Sequence, residues 1–93
     1  MNNIKLKNAR KKIDRLDKNI FNLIRKRTHI VNHMLSLKKH KKQIIDHKRI
    51  NEILKKIKKK SLKNKIDPKI TSRIWKAMIW SYVDYQRRNF KKK

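Results

Sequence analysis

The sequence predicts an all-α chain of three helices, and three observations carry that expectation. Glycine is absent from the 93 residues and the single proline is Pro68, so long stretches run without a breaker. From Ile4 onward apolar residues recur at spacings of three and four, the repeat of a helix face. Nothing alternates with the period of two that a strand needs, and no turn chemistry joins candidate strands.

The first helix is expected over about residues 4–39. At roughly 1.5 Å per residue it runs about 50 Å, longer than the rest of one chain can cover, so its apolar face calls for a second copy. The polar stretch HKKQI follows. Asp46 then reads as the N-cap of a second helix over about 46–63, with Ile45 and Ile50 as a hydrophobic staple. Its apolar stripe is Ile50, Ile53, Leu54 and Ile57, with Leu62 near the end. The opposite face, Lys55, Lys56, Lys58, Lys59 and Lys60, reads as solvated. Asp67 caps the third helix and Pro68 takes its first position, where a missing N–H costs nothing. That helix runs over about 68–90, with Ile70, Ile74, Met78 and Tyr85 on one side. Trp75, Ile79, Tyr82 and Gln86 lie around the next, and residues 91–93 form a fraying basic tail. One domain over residues 1–93 is the expectation, without internal repeats.

Composition narrows the function. The 31 Lys and Arg against 6 Asp and Glu give a net charge of +25. A chain this short buries only about 60–65% of its unfolded surface, which again points to a partner chain. With no Cys there is no disulfide, thiolate metal site or thiol nucleophile, and with no Gly there is no phosphate-cradling loop. No apolar run approaches the roughly 20 residues of a membrane span, and the N-terminus carries no hydrophobic signal, so a soluble cytoplasmic protein is expected. Lys, Ile and Asn, whose codons are rich in A and T, make up about half of the chain, so codon bias accounts for much of the charge.

The informative feature is cationic and lies on the apolar face of the first helix. Ile13, Ile20, Arg27 and Met34 follow one another every seven residues down its middle. Arg10, Asp17, Ile24, Val31 and Lys38 run along one edge, while Leu16, Leu23, Ile30 and Leu37 make the other edge wholly apolar. An interior guanidinium needs a partner. Either Arg27 pairs with Asp17 or another acid, or its stem snorkels to water, or an anionic ligand sits between the helices. Arg10 and Lys38 are about 42 Å apart on one helix at roughly 1.5 Å per residue, whereas Arg27 and Lys38 are about 16 Å apart and can converge. Arg10 therefore joins them only from an antiparallel partner. Arg49 shares a face with Asp46, Ile50 and Ile53, and Gln86 lies beside Ile79, Tyr82 and Val83. Cationic donors, one amide and one carboxylate suit a small molecule with two carboxylates and a hydroxyl.

These residues resemble the all-helical chorismate mutase family over nearly the whole chain. ARKKIDRLDKNIFNLIRKR resembles the family's opening helix, with Arg10, the Ile13 to Asp17 core and Arg27, and VNHMLSLK brings Lys38. DHKRINEIL resembles the start of the second helix with Asp46 and Arg49, and IDPKITSRIW followed by YVDYQ resembles the third with Gln86. The resemblance implies an intertwined antiparallel homodimer, a six-helix bundle, that converts chorismate to prephenate in one pericyclic step without a cofactor or covalent intermediate. It further implies that Arg27 and the partner chain's Arg10 clamp carboxylates, that Lys38 serves a carboxylate and the ether oxygen, and that Gln86 donates to that oxygen. By the same resemblance, Arg49 would complete the cationic wall and Asp46 would accept from the substrate hydroxyl.

Two positions depart from the usual pattern. Ile50 stands where the mutases usually carry Glu, and Tyr82 where a small Ser is common; both resemble the isochorismate-pyruvate lyase branch of the same fold. Some bacterial mutases are also apolar after that Arg and share an I-W-x-x-M-I stretch like Ile74 to Ile79, so mutase stands ahead of lyase.

A basic helical nucleic-acid-binding protein is the rival of a different class. It needs outward cations, which the second helix supplies, but has no use for Arg27 among Ile20, Ile24 and Val31; only non-specific binding at low salt is expected. His29 and His33 are four apart without a third ligand, so no metal site is expected. Ser61, Ser72 and Ser81 lack the His and acid of a hydrolase triad. Asp14, Glu52 and Asp84 are expected to balance nearby lysines. One of Trp75 and Trp80 is expected in the core, the other at its edge.

Overall fold

The computed structural model describes residues 2–91, so Lys92 and Lys93 of the expected tail lie outside the described residues. Helix α1 spans Asn2–Leu37, a 3-10 turn spans Lys41–Gln43, α2 spans His47–Lys63 and α3 spans Pro68–Asn89; the described residues form no strand. The chain divides into two compact units, one up to His33 and one from Met34 onward.

The first unit is helix alone. With neither Gly nor Pro to break it, α1 continues turn after turn, and Thr28 Oγ1 bonds back to the Ile24 carbonyl at 2.8 Å. Ile13, Leu16, Ile20, Leu23 and Ile30 are each more than half exposed. Burying one such side chain contributes about 1.5–3 kcal/mol, so this face holds a large unused driving force.

In the second unit α2 and α3 pack side by side across a four-residue connection. Both N-caps act as the sequence predicts: Asp46 Oδ1 accepts from Arg49 N at 3.0 Å and Asp67 Oδ1 from Lys69 N at 2.9 Å. Ile66 N donates to Ser61 O at 2.9 Å and Lys65 N to Leu62 O at 3.3 Å, which closes α2 with a Schellman motif. Its left-handed position, Lys65 at φ 58°, is one where a glycine would sit without strain. The buried Ser61 hydroxyl donates to the Ile57 carbonyl and shares a 2.6 Å bond with Thr71 Oγ1, pinning α2 to α3.

Leu35, Ile44 and Val83 form a small core, with Ile45 and Phe90 packed against it. Ile79 is buried, Trp75 half-buried and Trp80 exposed. Ile70 and Ile74, which share one side of α3 with Met78 and Tyr85, are exposed in the single chain. Helix α1 stops at Leu37, short of the expected Lys39. Gln43 Oε1 accepts from the backbone N–H groups of Lys39 and His40 at 2.8 and 2.9 Å, and these bonds draw the chain off the helix axis into the 3-10 turn.

Candidate active site

Two positions one turn beyond the small core set the geometry. Leu35 and Val83 belong to that core, and three residues further along each chain segment stand Lys38 and Gln86. Lys38 has left the helix, but its N–H still bonds the Leu35 carbonyl at 3.1 Å, so its backbone stays anchored to the last turn. Its Nζ donates to Gln86 Oε1 at 2.8 Å. Gln86, only 7% exposed, uses its amide nitrogen to donate to the Tyr82 carbonyl at 3.2 Å. A buried amide is thus satisfied at both ends within the protein.

Burial pushes the Lys38 ammonium below the ordinary lysine pKa of 10.5, and the Asp46 carboxylate opposes that shift. Asp46 therefore has two tasks, as the cap of α2 and as a negative charge felt by Lys38. Ile50 and Tyr82 are half-buried in the same unit. Arg49 lies in the first turn of α2 with its side chain exposed, and the nearest carboxylate oxygen of Glu52 is 4.0 Å away. Of the expected residues, the structure brings Lys38, Asp46 and Gln86 together around one ammonium, and the Tyr82 carbonyl holds the Gln86 amide nitrogen. Arg10 and Arg27 belong to the first unit, where Arg10 is exposed and Arg27 half-buried.

Some expectations need correction. Glu52 and Asp84, read as balancing lysines, meet arginines: Glu52 meets Arg49, and Asp84 accepts from Arg88 Nε at 2.9 Å. Gln43 carries no catalytic signature in the sequence, yet it fixes the turn that follows Lys38. The spacing of three between His40 and Gln43, like that of a capping box, is the signal that points to it. Among the described residues no group of three His, Cys, Asp or Glu side chains is arranged to hold a metal, and no helix is long and apolar enough to cross a membrane.

An ammonium and an amide held side by side are groups that can stabilise negative charge on an oxygen without proton transfer. Comparison with curated proteins and with solved structures gives no match. The model of the chorismate mutase type II family does match, over residues 9–87, a span that takes in every expected site residue from Arg10 to Gln86. The chain therefore belongs to the chorismate mutase type II family, and it is an enzyme that isomerises chorismate to prephenate.

Proposed function

We propose that the active chorismate mutase is an antiparallel homodimer in which each site takes Arg27, Lys38, Asp46, Arg49 and Gln86 from one chain and Arg10 from the other. The Lys38–Gln86 hydrogen bond carries this reading, because it joins two of the expected residues that stand 48 positions apart in the sequence. The exposed apolar face of α1 supports the second copy, since covering it recovers burial that one chain lacks.

The rearrangement breaks an ether C–O bond as a C–C bond forms, and negative charge grows on the ether oxygen. Lys38 Nζ and Gln86 Nε2 donate to that oxygen; Gln86 Nε2 spends one N–H on the Tyr82 carbonyl at 3.2 Å and has a second to give. Arg27 and the partner's Arg10 bind carboxylates and hold the compact diaxial conformer, which contributes through positioning. Arg49 adds to the cationic wall and Asp46 accepts from the substrate hydroxyl. Ile50 and Tyr82 shape the apolar side of the site, and no protein group takes or gives a proton in the chemical step.

The test follows prephenate from chorismate and salicylate from isochorismate with purified protein. Prephenate from chorismate is expected, with Arg27→Ala and Lys38→Ala inactive yet still helical and dimeric. Salicylate formed preferentially from isochorismate would move the protein to the lyase branch. Mixing Arg10→Ala with Arg27→Ala chains restores activity if the site is shared, because one site of each mixed dimer is intact; no rescue after verified subunit exchange overturns the shared site.

A further inference from the structure

The groove on one side of the α2–α3 pair has walls of one sign. Lys55 and Lys58 of α2 face Lys69 and Lys76 of α3 across a volume of about 490 Å³, floored by Leu54 and Pro68. Asn51 and Ser72 add neutral hydrogen-bonding groups, and no carboxylate lines it. The catalytic mechanism uses none of these residues. The rest of the lysine run, Lys56, Lys59, Lys60 and Lys63, lines further shallow concavities around α2, so the positive surface is continuous.

Helix α3 adds an aromatic to this surface. Lys69, Arg73, Lys76, Trp80 and Arg87 follow at spacings of four, three, four and seven, which places them on one face of the helix. Trp80 is 44% exposed, one turn beyond Lys76. Asp84 lies one further turn along, where its charge is met by Arg88. Lysines clustered around a groove that no carboxylate lines attract a chain of phosphates, and an exposed indole among cations is a stacking surface for a base. An anionic membrane would call for an apolar face larger than one tryptophan. An acidic protein would satisfy the lysines and leave the indole unexplained.

We propose that the α2–α3 groove and the adjoining face of α3 bind single-stranded nucleic acid, with Lys55, Lys58, Lys69 and Lys76 neutralising successive phosphates and Trp80 stacking on a base. This surface is separate from the Lys38–Gln86 site, so its occupancy and mutase turnover are independent readouts.

The experiment measures fluorescence anisotropy of a short labelled oligouridylate across a salt series, with inorganic polyphosphate and an acidic peptide as competitors. The groove variant changes Lys55, Lys58, Lys69 and Lys76 to Gln. A control variant of equal charge changes Lys7, Lys11, Lys18 and Lys26 of α1, all exposed. The groove variant is expected to lose about ten-fold or more in affinity, with a salt slope shallower by about 3 for four contacts at about 0.7 each. The control should lose far less, both should keep the wild-type circular dichroism, and the groove variant should retain mutase turnover. Trp80→Leu is expected to weaken the oligouridylate about five-fold or more and leave polyphosphate binding unchanged. Equal losses in both lysine variants would reduce the effect to net charge and overturn the proposal. So would an absence of binding at moderate salt, indifference to Trp80→Leu, or a stronger response to the acidic peptide than to the oligonucleotide.

Discussion

The ammonium of Lys38 and the side-chain carbonyl of Gln86 meet at 2.8 Å although 48 residues separate them in the chain. Each member limits the other. Gln86 is buried and needs a donor for its oxygen, while Lys38 is partly stripped of water and needs an acceptor that leaves its charge intact.

Replacing Gln86 by Leu keeps the volume and removes the acceptor. The Lys38 ammonium is then left without its closest partner, and we expect a loss of about 1–3 kcal/mol in stability. Removing a donor to the developing oxyanion should also lower turnover by about 100-fold or more. Urea unfolding with a prephenate assay on the same protein checks both, and full activity would show that Gln86 is structural alone.

Turnover should fall on the alkaline side, at a pH below the ordinary lysine value of 10.5, because burial favours the neutral amine of Lys38. Stability moves the other way through this group. Between the lowered folded-state pKa and 10.5 the unfolded chain binds more protons than the folded one, so this lysine's contribution to stability rises with pH across that window. A pH–rate profile of wild type against Lys38→Arg tests the assignment. The alkaline limb should move upward or vanish in whatever activity the arginine retains, and an unmoved limb would place the titrating group elsewhere.

Lys65 occupies a left-handed position at φ 58° in a chain without glycine. Lys65→Gly should stabilise the protein by about 1 kcal/mol by relieving a Cβ clash, with turnover unchanged. The thermal midpoint reports the gain, and a loss would mean that the entropy of the unfolded glycine outweighs the relief.

The Ser61–Thr71 hydroxyl pair should show strong coupling. Ser61→Ala or Thr71→Val alone should cost about 0.5–1.5 kcal/mol, since each removes the shared bond while the remaining hydroxyl keeps a backbone carbonyl, of Pro68 or Ile57, and the double variant should cost less than the two singles added. Additive losses in chemical denaturation would mean that the two hydroxyls act separately.

The sequence makes the helices legible because their signals are local. Asp46 and Asp67 are caps within three residues of the amides they serve, Pro68 marks a first turn, and a chain without glycine offers few places to stop. It also marks Arg27 and Lys38 as cations on an apolar face, and Gln86 as an amide among Ile79, Tyr82 and Val83. It does not reveal where α1 ends, because the decision rests on the Gln43 side chain reaching back to the amides of Lys39 and His40, against an apolar period that would carry the helix on to Lys39. Nor does it reveal that Glu52 and Asp84 choose arginines over more numerous lysines, a choice made by helix spacing at single positions.

By itself, then, the sequence determined the three helices, the apolar stripe of α1 and the residue types of the site, through propensity, period and the resemblance of its motifs. The tertiary structure decided which of those residues share an environment. Packing of Leu35, Ile44 and Val83 brings Lys38 beside Gln86, and the burial that results lowers the lysine's pKa against the pull of Asp46. Desolvation is a property of the packed neighbourhood, to which residues far apart in the chain contribute, so no local pattern encodes it.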